Sequence, residues 1–198
     1  MCRNPFRLYW PLLILLQGLF CFSVSLPQPD SLENGDLVAR YTDSWLSRLS
    51  VQASDGDREF SHIGILYDHP KQGWMVIHSL PRGDLSGVYA EPLDRFLEPA
   101  IRYGFYHVNR PPEEKNRFTG TALVWSQKNI SFDHQFDLEN DQALYCTELI
   151  WKLAKETMGS DLHITPSTTS DRTYLSVEDI LRSPYLKRID EDTAAEDP

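Results

Sequence analysis

Cys146 is the residue of this chain whose type and position most directly suggest covalent chemistry. The apolar residues that follow it, Leu149, Ile150 and Leu153, recur at helical spacing, so we expect the thiol in the first turn of a helix, on its inward face. There the unpaired backbone amides and the positive end of the helix dipole favour thiolate over thiol. The pattern predicts a cysteine nucleophile with a lowered pKa, and the alternative is a small buried residue that only fills the core.

Cys146 also lacks a disulfide partner once the first 25 residues are set aside. The chain has three cysteines, and Cys2 and Cys21 both lie in an amino-terminal segment with the pattern of an export signal. An unpaired thiol in an oxidising compartment is exposed to oxidation, so its presence there favours a catalytic role.

A cysteine nucleophile needs a base within hydrogen-bonding reach and a polar group that orients this base. His62 stands at the start of a predicted strand over 63–67, and His78 stands near the end of the next one, over 74–79. If the two strands pair as a hairpin, the two imidazoles lie side by side. Structural roles are expected for the remaining histidines, His69, His107, His134 and His163.

The first 25 residues have the layout of a secretory signal peptide: Arg3 and Arg7 precede an apolar run from residue 10 to about 24. This run is shorter than the ~20 residues of a membrane helix, and small residues at 23 and 25 predict cleavage after Ser25. We expect an exported protein, periplasmic or extracellular, that stays anchored in the membrane if the signal is not cleaved.

Residues 26–188 suit a single domain with a sizeable core, and residues 189–198 have the composition of a disordered acidic tail. The whole chain carries 19 basic and 29 acidic residues, a net charge of −10. Without Arg3 and Arg7 the charge is about −12, and such a surface repels the phosphates of nucleic acids. We therefore expect no nucleic-acid partner, and we expect a monomer.

The hydrophobic pattern predicts an α+β domain, with helices packed on a small antiparallel sheet. Helices or helical turns are expected over 44–50, 92–97, 111–127, 146–158 and 176–182. Strands are expected over 37–40, 63–67, 74–79, 87–90 and 101–108, with the last two extending an antiparallel meander.

Three blocks of sequence carry a resemblance to a known family. They are Gly35-Asp36-Leu37-Val38, Phe60-Ser61-His62-Ile63-Gly64-Ile65, and the stretch from Phe136-Asp137-Leu138-Glu139-Asn140-Asp141 to Leu144-Tyr145-Cys146-Thr147-Glu148-Leu149. In this order they resemble the circularly permuted, NlpC-like papain-fold cysteine hydrolases of the YiiX/YaeF type, over about residues 32–180. The resemblance implies that fold, with the histidine preceding the cysteine in the chain.

The resemblance also implies roles for three residues. Cys146 corresponds to the nucleophile, His62 to the general base and then general acid, and His78 to the group that orients the base. The resemblance implies that many relatives have an acidic residue at the position of His78. The lecithin retinol acyltransferase-like branch of the fold has a histidine there. A neutral imidazole stabilises the cation of His62 less than a carboxylate would.

Residues around Cys146 have weaker assignments. The Tyr145 hydroxyl is a candidate for contacting the oxyanion or substrate, although a packing role is favoured. Glu148 is expected to cap the helix. Zinc held by His62, His78 and Cys146 is formally possible, but neither C-x-x-C nor H-x-x-x-H spacing occurs, so we expect no metal or other cofactor.

Taken together, the residues and the resemblance predict an exported thiol hydrolase that cleaves an amide or ester bond through an acyl-enzyme on Cys146. The expected substrate is the peptide of the bacterial cell wall, which NlpC-like enzymes cleave. A lipid or acyl-ester hydrolase or acyltransferase is the alternative within the fold, and a non-catalytic exported binding domain is the alternative outside it. Aromatic residues that could line an acyl groove, or lie in the core, are Trp45, Trp74, Tyr103, Phe105 and Tyr106.

Overall fold

A computed structural model of the chain describes residues 29, 31–44, 59–81, 86–168 and 173–189. The predicted signal peptide, Trp45 with nearly all of the helix expected over 44–50, and residues 190–198 of the expected tail lie outside this part of the chain. These features stay predictions.

Strands and helices of the described residues follow the predicted order closely. The helices are α1 (Leu93–Leu97), α2 (Pro112–Ser126), α3 (Cys146–Met158) and α4 (Val177–Leu181). The strands are β1 (Leu37–Tyr41), β2 (His62–His69), β3 (Gly73–Leu80), β4 (Gly87–Pro92), β5 (Arg102–Val108), β6 (Ser167–Thr168), β7 (Thr173–Tyr174) and β8 (Leu186–Ile189). The short strands β6, β7 and β8 were not predicted, and Ile189, expected in the tail, ends β8.

A six-stranded antiparallel sheet organises the domain, with strand order β4-β3-β2-β1-β5-β8. The meander β2-β3-β4 is confirmed, but the prediction that β5 extends it beyond β4 is wrong, because β5 pairs with β1. The connecting helix α1 buries Phe96 and its apolar neighbours across the face of the sheet, which delivers the chain to the other side of β1. The pattern of β5 alone does not reveal this crossing.

Helices cover both faces of the sheet, so the central strands are buried on both sides. A smaller core, which includes Phe96 and Leu66, lies between α1 and the sheet. A larger core, which includes Ile65 and Leu149, lies between the other face and the helices α2 and α3. Among the described residues, no helix is both long enough and apolar enough to cross a membrane.

The helix α3 begins and ends where the sequence predicts. Its first residue is Cys146, and Leu149 and Leu153 on its inward face are fully buried. Gly159 follows the last turn in the left-handed conformation, with φ 60°, which ends the helix at little steric cost. The nucleophile candidate is thus held at the amino end of a rigid element that packs on β2 and β3.

Candidate active site

The amino end of α3 is fixed by Glu148, which lies in the first turn and is fully buried. Its Oε2 atom accepts a hydrogen bond of 3.3 Å from the backbone N–H of Tyr145, and its Oε1 atom lies 2.8 Å from Lys152 Nζ. Burial raises the pKa of Glu148 to about 7, although Lys152 opposes this shift. Glu148 therefore has the capping role predicted for it, next to the thiol but not in its chemistry.

The thiol of Cys146 lies against the start of β2. Burial raises its pKa to about 11, and the backbone N–H groups of Ile63, Thr147 and Cys146 itself only partly offset this effect. The predicted lowering of the pKa is therefore wrong, because the desolvation of a thiolate here outweighs the favourable amides at the end of the helix. Ile63 directly follows His62 in the chain, so the sulfur is held beside the strand that carries the candidate base.

His62 and His78 form a hydrogen-bonded pair, as the predicted hairpin requires. The Nε2 atom of His62 lies 2.8 Å from Nδ1 of His78, and the two ring centroids are 5.0 Å apart. Both residues are buried. Because Ile65 pairs with Ile77, His78 falls opposite Gly64, and His62 is its diagonal neighbour across the ladder.

Gly64 makes room for this histidine pair. A Cβ atom at residue 64 would lie 2.4 Å from Cγ1 of Val76 and 3.1 Å from Cβ of His78. The first distance is far shorter than any van der Waals contact between carbon atoms. Any larger side chain at this position would therefore displace the Val76 side chain and press against Cβ of His78.

Burial also lowers the pKa of His62 well below its ordinary value, and the charges of Arg40 and His78 act in the same direction. The imidazole is therefore neutral at neutral pH, when the thiol of Cys146 is protonated. A neutral histidine and a neutral thiol are the starting states that general-base activation of a nucleophile requires, as in serine hydrolases. These pKa shifts favour a neutral pair over a thiolate–imidazolium pair in the resting site.

Two charged residues beside the histidines were not predicted. Glu91 on β4 is buried, with Oε1 3.1 Å from Nε2 of His78. Arg40 on β1 pairs with His62 in the sheet register, is also buried, and donates a hydrogen bond to the backbone oxygen of Phe96. The signal that could reveal them is the two-residue alternation of β1 and β4, once the strand order is known.

The hydroxyl of Tyr145 accepts a hydrogen bond of 3.0 Å from the backbone N–H of Leu175. The Tyr145 side chain is buried, and its ring centroid lies 5.0 Å from that of Phe136. Burial raises the pKa of the phenol. These contacts favour the packing role of Tyr145 over a role at the oxyanion.

The other predicted residues lie in structural surroundings. His107 Nδ1 is 2.9 Å from Asp36 Oδ2, in a partly buried cluster with Lys115. Phe105 and Tyr106 belong to the core, which removes them as candidates for lining an acyl groove, while Trp74 and Tyr103 pack at the edge of the α1 core. Aromatic neighbours also pack against the remaining histidines, His69, His134 and His163.

Comparison with known proteins agrees with this architecture. Residues 31–180 match the family model described as "Permuted papain-like amidase enzyme, YaeF/YiiX, C92 family". A similar solved structure is titled "Crystal structure of metalloprotein yiiX from Escherichia coli O157:H7, DUF1105". That structure has a TM-score of 0.66 and 19% sequence identity, over 80% of this chain and 96% of that chain. The search of curated proteins gave no match.

Proposed function

Because this chain belongs to the YaeF/YiiX family of permuted papain-like amidases, which are cysteine hydrolases, we propose that it is an exported hydrolase that cleaves an amide bond through an acyl-enzyme on Cys146. One observation carries the proposal. His62 Nε2 is bonded to His78 at 2.8 Å, while the backbone amide after His62 faces the Cys146 sulfur. These two contacts support a site at the start of β2, where the proposed nucleophile lies beside the residue that follows the proposed base. The family itself argues against a non-catalytic binding domain.

In the proposed reaction, His62 takes the proton of the Cys146 thiol as the sulfur attacks the substrate carbonyl. The backbone N–H groups at the start of α3 have no partner within the helix and are the available donors for the oxyanion. The protonated His62 then donates to the leaving nitrogen as the C–N bond breaks, which leaves a thioester on Cys146. A water molecule, deprotonated by His62, attacks the thioester and restores the thiol.

A metal is not needed for this mechanism, although the similar structure from Escherichia coli is titled a metalloprotein. In the described part of the chain, Glu33, Asp36 and His107 are the one group of three ligand-type residues whose donor atoms lie within 4.8 Å of one another. The ammonium of Lys115 lies 2.7 Å from both carboxylates. The Lys115 ammonium already neutralises these carboxylates, so this group of residues does not suit an additional metal ion.

The proposed substrate is the peptide of the bacterial cell wall, which an exported enzyme would meet. A second candidate, an acyl ester of a lipid, has one observation in its favour: the partner of His62 is a histidine, as in the acyltransferase-like branch that the sequence resembles. The two candidates differ in the bond that is cleaved and in the product released.

Incubation of the purified protein with peptidoglycan and, separately, with phospholipid vesicles tests the proposal. Mass spectrometry should find peptides with a newly freed amine from peptidoglycan, and none with Cys146→Ala. Free fatty acid released by the wild type alone would replace the proposed substrate with the second candidate. Equal release by wild type and Cys146→Ala would contradict the mechanism. Amino-terminal sequencing of the exported protein checks the export step.

A further inference from the structure

Four polar side chains form a row across one face of the sheet. Arg40 on β1, His62 on β2, His78 on β3 and Glu91 on β4 belong to successive strands and are all buried. On the same face, the Phe96 ring of α1 lies 4.2 Å from the Arg40 guanidinium, and its centroid is 5.6 Å from that of His62. The cation therefore stands at the His62 end of the row and the carboxylate at the His78 end.

The two short contacts in this row determine where the protons lie. Glu91 Oε1 lies 3.1 Å from Nε2 of His78, at ion-pair distance but without the alignment of a hydrogen bond, and its negative charge favours a proton on that nitrogen over a lone pair. A neutral His78 then has an acceptor at Nδ1. The Nε2 atom of His62, 2.8 Å away, must be the donor of this hydrogen bond. The remaining nitrogen of His62, Nδ1, is left as the basic one.

We propose that Glu91 is a positioning residue, which acts through His78 to keep His62 in the tautomer whose Nδ1 atom is free to accept the proton of Cys146. This inference rests on the proposed function, because it concerns the base of that reaction. Glu91 supplies the acidic group that the sequence lacks at residue 78, but it stands one residue further from the base. Each residue of the row thus has a part: Glu91 orients His78, and His78 orients His62.

Glu91 also affects the charge of the histidine pair. Titratable and charged groups around the pair include Arg40, Glu91 and Tyr89, whose ring centroid lies 4.5 Å from that of His78. The Cys146 thiol lies beside Ile63, which follows His62 in the chain. Arg40 opposes a positive charge on His62, whereas the Glu91 carboxylate favours one on His78, the histidine that it contacts.

The proton positions can be tested in the resting protein without any substrate, from the ¹⁵N chemical shifts of the two imidazoles. Signals are assigned with His62→Gln and His78→Gln. We expect protonated Nε2 and unprotonated Nδ1 in both histidines. A proton on Nδ1 of either histidine would overturn the proposal, whereas failure of the enzyme to hydrolyse any amide would leave these spectra unchanged.

Substitutions of Glu91 test the consequence for turnover. Partners that hydrogen-bond a metal-bound histidine typically matter by about 10–100-fold, and by analogy we expect Glu91→Leu to lose turnover in this range. Glu91→Gln keeps an acceptor for His78 and should retain more turnover. Because it removes the negative charge, it should also move the acidic limb of the pH–rate profile to lower pH. The control is Glu98→Gln, which removes an exposed charge at the end of α1.

A residue with only a structural role would not give this pattern. If Glu91→Gln and Glu91→Leu both keep the wild-type turnover and pH profile, Glu91 does not position the base. If either variant fails to fold, a proton on Nδ1 of either histidine in the wild-type spectra still overturns the proposal.

Discussion

Cys146 and His62 begin the proposed reaction as neutral groups, because burial moves their pKa values apart. The pKa of the thiol is raised to about 11, and that of the imidazole is lowered well below its ordinary value. Transferring the proton before attack would create two buried charges at once, which is costly in this environment. We therefore expect proton transfer to accompany the attack of sulfur on the carbonyl, rather than to precede it.

The alkylation of Cys146 by iodoacetamide tests this protonation state. A thiol with a pKa near 11 holds little thiolate at pH 8, so the native protein should react more slowly than the unfolded chain, whose thiol pKa is ~8.5. The rate, followed by mass spectrometry from pH 6 to 10, should still be rising at pH 10 in the native protein. A native rate that levels off below pH 8 would mean that the helix amides and His62 outweigh burial.

At the scale of elements, the site depends on how closely β2 and β3 approach each other. Gly64 allows this approach, since its neighbours on β3, Val76 and His78, occupy the space where a side chain would lie. The amino end of α3 must then hold Cys146 against β2, and Glu148 fixes that end of the helix. Gly64 thus helps to position His78, and Glu148 helps to position Cys146, although neither Gly64 nor Glu148 takes part in the proposed chemistry.

Gly64→Ala should therefore reduce both stability and turnover. Overpacking of this kind typically costs about 1–3 kcal/mol, and the pressure on Cβ of His78 would disturb its hydrogen bond to His62. Urea unfolding gives the free energy of unfolding, and turnover is measured on the same sample. Gly120→Ala is the matched control: its Cβ meets no atom within 4 Å, so within α2 it should stabilise the protein by about 0.5–1 kcal/mol. Equal effects of the two substitutions would contradict the role given to Gly64.

Glu148 should make the stability depend on pH. Its pKa is about 7 in the folded protein and 4.5 in the unfolded chain, so the folded state binds more protons between these values. Stability from this group is then present below pH 4.5 and is lost as the pH rises to 7, by about 3 kcal/mol. The charges facing Glu148 are those of Lys152, which opposes the shift, and Asp133, which adds to it.

Glu148→Gln should flatten this part of the stability profile, because an amide does not titrate. Urea unfolding of both proteins at pH 4.5, 5.5, 6.5 and 7.5 measures the difference. An unchanged slope in Glu148→Gln would show that other groups cause the pH dependence.

At the scale of the whole molecule, the export segment is expected to be absent from the mature protein. Its apolar run is shorter than a membrane helix, and small residues flank the predicted cleavage site after Ser25. Amino-terminal sequencing of protein from the exported fraction should therefore begin at Leu26. Intact Met1 in a membrane fraction would instead mean that the segment is an anchor.

Local pattern was sufficient to predict most elements and the hairpin that pairs His62 with His78. The helix spacing after Cys146 and the hairpin that joins His62 to His78 involve residues close together in the sequence, where periodicity is informative. The family resemblance then predicted the permuted papain fold. The positions of Glu91 and Arg40 depend instead on the order of four strands, which the local pattern does not specify.

Long-range packing accounts for the remaining errors. The pairing of β5 with β1 follows from the crossing of α1 over the sheet, and β8 has only four residues, two of them charged. The pKa of Cys146 depends on how completely the surrounding chain excludes water, and the amides of the helix alone gave the wrong direction. Each error concerns a contact between residues distant in the sequence.

The most direct test of the central claim is the rate at which a small activated ester acylates Cys146, followed by intact-protein mass spectrometry. Loss of the general base should slow acylation by about 10²–10⁴-fold in His62→Ala. His78→Ala should slow it less, and the double variant should be no slower than His62→Ala alone. Peptide mapping should find the acyl group on Cys146, and Cys146→Ala should carry none. Acylation of folded His62→Ala at the wild-type rate, or an acyl group on another residue, would contradict the mechanism.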